Sequence, residues 1–268
     1  MNNFKYLNDN LVNNDQAFIS SDQRGFLYGD GVFESCKIYQ GKILDYDRHL
    51  KRLSKALEYL GIYFFDNNLY QKCQELVRKN NCDNAILKIS VSRGIGSHGY
   101  LPNENCQSLL IIETKPYHPI TNGVKLGISY RNPCGFFFKS LSSLPYVLTK
   151  IEAKKQDCYD NIIINDQGLI CETATANIFW IKNQMIYTNE DDCGMVLGCM
   201  RQKIIEENLF NVNKIKAKIT DLLDAQEVFL TNSIHGIIAV NSITKDHVVK
   251  KYQNNLVTEL QKLIINYC

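Results

Sequence analysis

Lys139 stands directly behind Phe136, Phe137 and Phe138 and ahead of a run of Ser, Leu, Pro, Tyr and Val. A lysine among apolar neighbours has two readings. Its chain can lie along apolar surface with the ammonium in water, or desolvation can lower its pKa so that it serves as a nucleophile or base. Other groups suited to chemistry follow. Glu172 ends a strand-like run and is followed by small and hydroxyl residues, Thr173 to Ala176. Gly198, Cys199 and Met200 open a helix-like stretch, where outward-pointing backbone N–H groups form a seat for phosphate. Asn232 and Ser233 come after another strand-like run. Arg48, His49, Lys51 and Arg52 cluster near the start of a helix-like stretch. Taken singly, each group is ordinary: a hairpin glutamate, a helix end, a solvated basic face.

The elements that must position these groups alternate without the regular strand–helix order of a parallel sheet. GVFESCKIY, QG and KILDY predict a hairpin over 31–46. A helix follows over 47–62, with Leu50, Leu53, Leu57 and Leu60 on one stripe and Gly61 as its stop. A second helix is expected over 68–80, then strands over 85–93 and 108–115. Residues 124–131 read as a strand and 142–155 as a helix. Ser142 or Ser143 caps that helix, Pro145 lies in its first turn, and Leu144, Val147, Leu148 and Ile151 form its buried stripe. Hairpins are expected over 161–172 and 177–188, a helix over 200–210, strands over 227–233 and 236–243, and a closing amphipathic helix over 254–267. KPYHPITNG carries two of the five prolines and little periodicity, and reads as a linker. The expectation is an α/β protein of the α+β type with largely antiparallel sheets. Its domains are a small one over 1–115, a linker over 116–122, and a larger one over 123–268 that carries Lys139.

Composition narrows the function classes. A formal net charge of +2 on 268 residues creates no large field toward nucleic acid or an anionic membrane. No apolar run reaches bilayer-spanning length, and the polar N-terminus lacks a signal-peptide core, so a cytoplasmic protein is expected. The ten cysteines form no C-x-x-C pair or zinc-spaced cluster, and read as reduced thiols rather than metal ligands. GIGSHG, over 94–99, matches G-x-G-x-x-G. The following YLPNENCQ does not open a helix, so the dinucleotide-binding context is missing. A glycine-rich loop at a strand end is expected instead.

Six stretches, in this order, carry a resemblance: YGDGVFES (Tyr28 to Ser35), DRHLKRL (Asp47 to Leu53), KSLSSL from Lys139, ETATANIFW from Glu172, LGCMRQ and FLTNSIHGI. Together they resemble the class IV aminotransferases, the fold type IV pyridoxal-phosphate enzymes of D-amino-acid aminotransferase-like architecture, over essentially the whole chain. Within that family, SRGIGSHGY, KSLSSLPYVLTK, and GCMRQ with TNSIHGI are most similar to the 4-amino-4-deoxychorismate lyases. Branched-chain and D-amino-acid aminotransferases are the alternative within the family. A non-catalytic binding protein of the same fold is a third.

The resemblance implies pyridoxal 5'-phosphate as cofactor, Lys139 as the residue that condenses with its aldehyde, and Glu172 as the carboxylate facing its ring nitrogen. It implies Arg52, Thr175, the amides of Cys199 and Met200, and Ser233 as the phosphate cup. Tyr28, Arg93, His98 and Tyr100 are the implied substrate-side residues, and a homodimer is the implied assembly. The lyases usually read S-R-G-x-G-x-R-G-Y, and here His98 stands at the second arginine. A histidine is a weaker carboxylate anchor near neutral pH, because it is only partly charged.

Overall fold

The computed structural model describes residues 4–96, 99–246 and 248–265. They divide into two compact units, Met1–His118 with Phe138–Ser142, and Pro119–Phe137 with Ser143–Cys268.

The first unit is built on a six-stranded antiparallel sheet of order β2-β1-β6-β5-β3-β4. Its strands are β1 (Phe4–Leu7), β2 (Asn10–Asn13), β3 (Gly31–Tyr39), β4 (Lys42–Ile43), β5 (Asn84–Ser92) and β6 (Leu109–Pro116). Its helices are α1 (Arg24–Tyr28), α2 (Tyr46–Leu60) and α3 (Leu69–Lys79). The hairpin over 31–46 forms as expected, with Gln40 and Gly41 both at positive φ in its turn. Gly61 ends α2 in the left-handed region, its N–H reaching back to the carbonyls of Glu58 and Leu57. Tyr46, His49, Leu53, Ala56 and Leu57 bury one face of α2. The β1–β2 hairpin is an addition: the N-terminal stretch reads as polar, yet Tyr6 is buried and β1 pairs with β6.

Residues 138–142 join this unit by pairing with β3. The Phe33 N–H donates to the Lys139 carbonyl and the Leu141 N–H to the Gly31 carbonyl, both at 2.9 Å. The expected division put Lys139 with the residues after 123; by backbone pairing it sits with β3. Gly29 makes room for that pairing, and Gly31 for the close approach of β5. A Cβ on Gly29 would lie 2.8 Å from the backbone N and Cα of Ser142, and one on Gly31 would lie 2.5 Å from the Val91 carbonyl and 2.7 Å from the Ser92 Cα.

The second unit has a nine-stranded sheet, ordered β12-β11-β10-β13-β14-β7-β8-β9 with β15 paired to β14. Its strands are β7 (Val124–Tyr130), β8 (Asp160–Ile164), β9 (Ile170–Thr173), β10 (Asn177–Lys182), β11 (Met185–Asn189), β12 (Val212–Ile215), β13 (Glu227–Asn232), β14 (Gly236–Lys245) and β15 (Val248–Lys251). Its helices are α4 (Leu144–Lys155), α5 (Cys199–Glu206), α6 (Ile219–Leu223) and α7 (Asn255–Ile265). Both expected hairpins over 161–188 form. The sheet is mixed: β7–β8, β7–β14 and β11–β12 are parallel pairs. Strand alternation supplies two cores. Trp180, Val228, Leu230 and Val240 face one, and Phe179, Ile181 and Phe229 face another with Met200, Ile204, Val257 and Ile264.

Helix α4 starts where expected, with Pro145 in its first turn, but Ser143 makes no side-chain cap bond. Its buried face is not the expected one. Leu144, Val147, Leu148 and Ile151 are exposed, whereas Thr149 and Ala153 are completely buried. The helix lies between β7 and β8 as their crossover, and the close approach to β8 selects the small residues for its inner face. Glu152 then reaches β7 by hydrogen-bonding Ser129 Oγ and the Arg131 guanidinium. Val147 and Ile151 instead line an open groove of about 780 Å³ with Tyr146, Tyr159 and Thr175.

The glycine requirement is testable. Gly31→Ala forces a methyl against backbone atoms of β5 that cannot swing away, so a loss of about 1–3 kcal/mol is expected. Denaturant unfolding measures it. An unchanged midpoint would show that the strand pairing tolerates the side chain.

Candidate functional site

In the first unit, Lys139 is half-buried and its Nζ lies 5.1 Å from the centroid of the Phe33 ring. Phe138, immediately before it, is buried against Tyr59 of α2, ring centroids 5.6 Å apart. Phe138 thus anchors the segment, and the amine lies beside the Phe33 ring. Beside it, β3 carries a group that sequence reasoning missed. Glu34 is buried, and both its oxygens are held by α2. Arg52 donates Nε–H to Oε1 and an NH2 hydrogen to Oε2, each at 2.7 Å, while His49 Nδ1 lies 2.7 Å from Oε2. Burial alone would push the Glu34 pKa up; the charge and hydrogen bonds of Arg52, with His49, outweigh it and hold it at about 2. Arg52 is therefore oriented by a fork-to-fork pair. The signal was present in the strand pattern: Val32, Glu34 and Cys36 share one phase, and Val32 and Cys36 are apolar. A glutamate in a buried phase calls for a cationic partner.

Of the residues expected on the substrate side, Tyr28 and Tyr100 meet edge to face, ring centroids 5.8 Å apart, and the Tyr28 hydroxyl accepts the Gly99 N–H at 2.9 Å. His98 lies outside the described residues. Arg93 has each of its nitrogens on protein: Nε on Asp30 Oδ2, NH1 on the Gly61 carbonyl and NH2 on the Leu60 carbonyl, at 2.8–2.9 Å. Those carbonyls are the exposed C-terminal end of α2, which favours a cation. Arg93 thus ties strand end to helix end, and orders its loop.

In the second unit, Glu172 is buried at the end of β9 and receives three donors. These are the Tyr146 hydroxyl at 2.8 Å and the Val196 N–H at 3.0 Å, both on Oε1, and Asn177 Nδ2 at 3.3 Å on Oε2. Asn177 also donates to the Val196 carbonyl and accepts from the Gly198 N–H, so one amide joins Glu172 to the start of α5. Burial, then the Glu172 charge and hydrogen bond, push the Tyr146 phenol far above its ordinary value, so it stays a donor. Tyr146 and Asn177 were not singled out by sequence; a buried glutamate predicts donors but not which ones.

Thr175 and Ser233 lie on neighbouring turns. Asn232 Nδ2 donates to the Thr175 carbonyl at 3.3 Å, and Asn232 Oδ1 accepts the N–H groups of Ile234 and His235. The Thr175 hydroxyl and N–H both bond Asp160, which fixes that turn. Cys199 and Met200 open α5, and their side chains are buried, Met200 in the core.

The Glu34 pair makes stability depend on pH in a defined direction. A carboxyl whose folded pKa is depressed contributes stability above its unfolded value, and that contribution is lost as pH falls toward its folded value. The window here runs from the ordinary 4.5 down to about 2, and the full contribution is on the order of 3 kcal/mol. Glu34→Gln should be destabilised near neutral pH, and the gap from the parent should close across that window. A gap independent of pH in denaturant titrations would contradict the coupling.

With this geometry in view, comparison with known proteins has a clear outcome. The amino-transferase class IV family model matches residues 31–243, which span every group above except Tyr28 and Asp30. An aminodeoxychorismate lyase of Vibrio harveyi is 30% identical over 242 residues, covering 85% of this chain and 89% of that protein. A D-alanine aminotransferase of Bacillus licheniformis is 29% identical over 248 residues, covering 88% and 87%. Among solved structures, a hypothetical aminotransferase from Mycobacterium tuberculosis in its PLP-bound form superposes with a TM-score of 0.83 at 17% identity, over 98% of this chain and 97% of that one. Family model, full-length relatives and backbone agree, and the chain belongs to the class IV aminotransferase family.

Proposed function

We propose that this chain is a pyridoxal-phosphate-dependent lyase that converts 4-amino-4-deoxychorismate to 4-aminobenzoate and pyruvate, supplying folate synthesis. The observation that carries the reading is the buried, three-donor seat of Glu172 in a family member whose 30%-identical relative is an aminodeoxychorismate lyase. The donor set fits pyridoxal phosphate. Glu172 is a carboxylate suited to a protonated ring nitrogen. Gly198 precedes α5 without a side-chain cap bond. A Cβ there would fall 2.1 Å from Asn177 Oδ1, which accepts the Gly198 N–H, so glycine is required at the helix start. Amides at such an end suit a phosphate.

The residue roles follow the family motif position by position. Lys139 holds the cofactor covalently, Glu172 pairs with its ring nitrogen, and Arg52, Thr175, Ser233 and the Cys199 and Met200 amides bind its phosphate. Pyridoxal phosphate, when bound, supplies an electron sink. Glu172 would keep that sink strong by pairing its carboxylate with the protonated ring nitrogen. The Lys139 amine, when free, would take the proton from the amine-bearing ring carbon. Loss of that proton and of the enolpyruvyl group as pyruvate leaves an aromatic ring. Tyr28, Tyr100 and His98 are the substrate-side residues of this reading, and Arg93 orders the loop that carries Tyr100. A cytoplasmic homodimer completes it, and light scattering that shows a monomer would remove that part.

The D-alanine aminotransferase relative, at 29% identity over 88% of this chain, favours a second reading as an aminotransferase. One assay separates them. Incubated with aminodeoxychorismate, the holoenzyme should release pyruvate and 4-aminobenzoate in equal amounts. Transfer of an amino group to a 2-oxo acid without pyruvate release would select the aminotransferase instead. In either reaction, Lys139→Ala should lower turnover roughly 100- to 10,000-fold.

A further inference from the structure

Arg24 opens α1 and is almost fully buried, yet neither the motif pattern nor the family roles call on it. Its guanidinium is distributed in one plane. Nε donates to Asp30 Oδ2 at 2.8 Å, NH1 to the Gly99 carbonyl at 2.9 Å and NH2 to the Tyr100 carbonyl at 2.8 Å. Its carbon lies 4.8 Å from the centroid of the Tyr28 ring. Its own N–H donates to the Gly94 carbonyl at 2.9 Å, so the segment leaving β5 is held at a second point. Asp30 Oδ2 is shared with Arg93, and the two guanidiniums hold its carboxyl below the ordinary range against the upward push of burial. A buried cation on one shared carboxylate is costly unless its remaining donors are satisfied, and the two carbonyls at Gly99 and Tyr100 satisfy them. The cost of misplacing this stretch is therefore the cost of stranding a buried guanidinium.

We propose that Arg24 is the positioning residue of the Gly99–Tyr100 stretch, and through Tyr100 sets the affinity for the amino substrate without touching cofactor or substrate. The proposal rests on the reading above in which Tyr100 lies toward the substrate. A lysine cannot replace it, because one ammonium does not reach a carboxylate and two successive carbonyls in a planar fork.

The test uses the holoenzyme with Arg24→Lys and Arg24→Ala, and the amino substrate that the parent turns over. Amide hydrogen exchange at Gly99 to Leu101 should rise about tenfold or more, with β3 and β5 unchanged. KM should rise about 10- to 100-fold while kcat stays within about threefold, since charge-assisted bonds that place a binding loop are lost. Cofactor absorption should be unchanged, and added guanidinium ion should recover part of the KM in Arg24→Ala. Unchanged exchange, unchanged KM, or a joint loss of absorption and kcat with exchange raised throughout the unit would each overturn the proposal. Should Arg24→Ala fail to fold, Arg24→Lys decides by the same readings. A parent inactive on every amino substrate would bring down the functional reading instead, and exchange at Gly99 to Leu101 would still decide the clamp.

Discussion

Two backbone hydrogen bonds decide where the Lys139 amine goes. The Phe33 N–H to Lys139 and the Leu141 N–H to Gly31 pair a five-residue segment with β3. Lys139 is thereby carried on a strand edge rather than on a free loop. Its neighbour Phe138 is locked into the α2 face, so the segment cannot slide by one residue without exchanging a buried ring for an ammonium. Of the two glycines of the Gly-Asp-Gly turn, Gly29 admits this segment and Gly31 admits the β5 backbone. Asp30 between them has a different task, as the shared counter-ion of two arginines. One short motif thus performs steric and electrostatic work at once.

Buried charge is the second organising feature. Glu34 with Arg52 and His49, Asp30 with Arg24 and Arg93, and Glu172 with Tyr146 and Asn177 are each satisfied locally. Such groups add little net stability compared with apolar packing, but removing one partner strands the other. They act as orientation devices: the arginine at α2 and the glutamate at β9 cannot rotate freely, and binding groups need such fixed donors and acceptors. Around Glu172, the apolar alternation of the second unit, Trp180 to one face and Phe179 to the other, supplies the rigidity that seat depends on.

The parts of the fold legible in the sequence were those with strong local signals. Asn183 and Gln184 at positive φ close a hairpin readable from its flanking strands, and Gly61 stops α2 as a glycine should. Periodicity failed at α4, because a helix rich in Leu, Val and Ile can offer its sheet a Thr149–Ala153 face when the strands lie close. Parallel pairing of β7 with β8 and β14 leaves no local signature, since the partners are far apart in sequence. At the site, Lys139, Glu172 and Arg52 came from motif matching, whereas Glu34, Arg24 and Tyr146 emerged only when partners could be seen. Residues that hold other residues have no chemistry of their own to advertise.

The account rests on Lys139 as the amine that bonds the cofactor. Borohydride reduction of the protein with pyridoxal phosphate, followed by peptide mapping, tests this most directly. The account predicts one phosphopyridoxyl label, on the peptide that contains Lys139. A label on another lysine, or none after saturation with the cofactor, would contradict it.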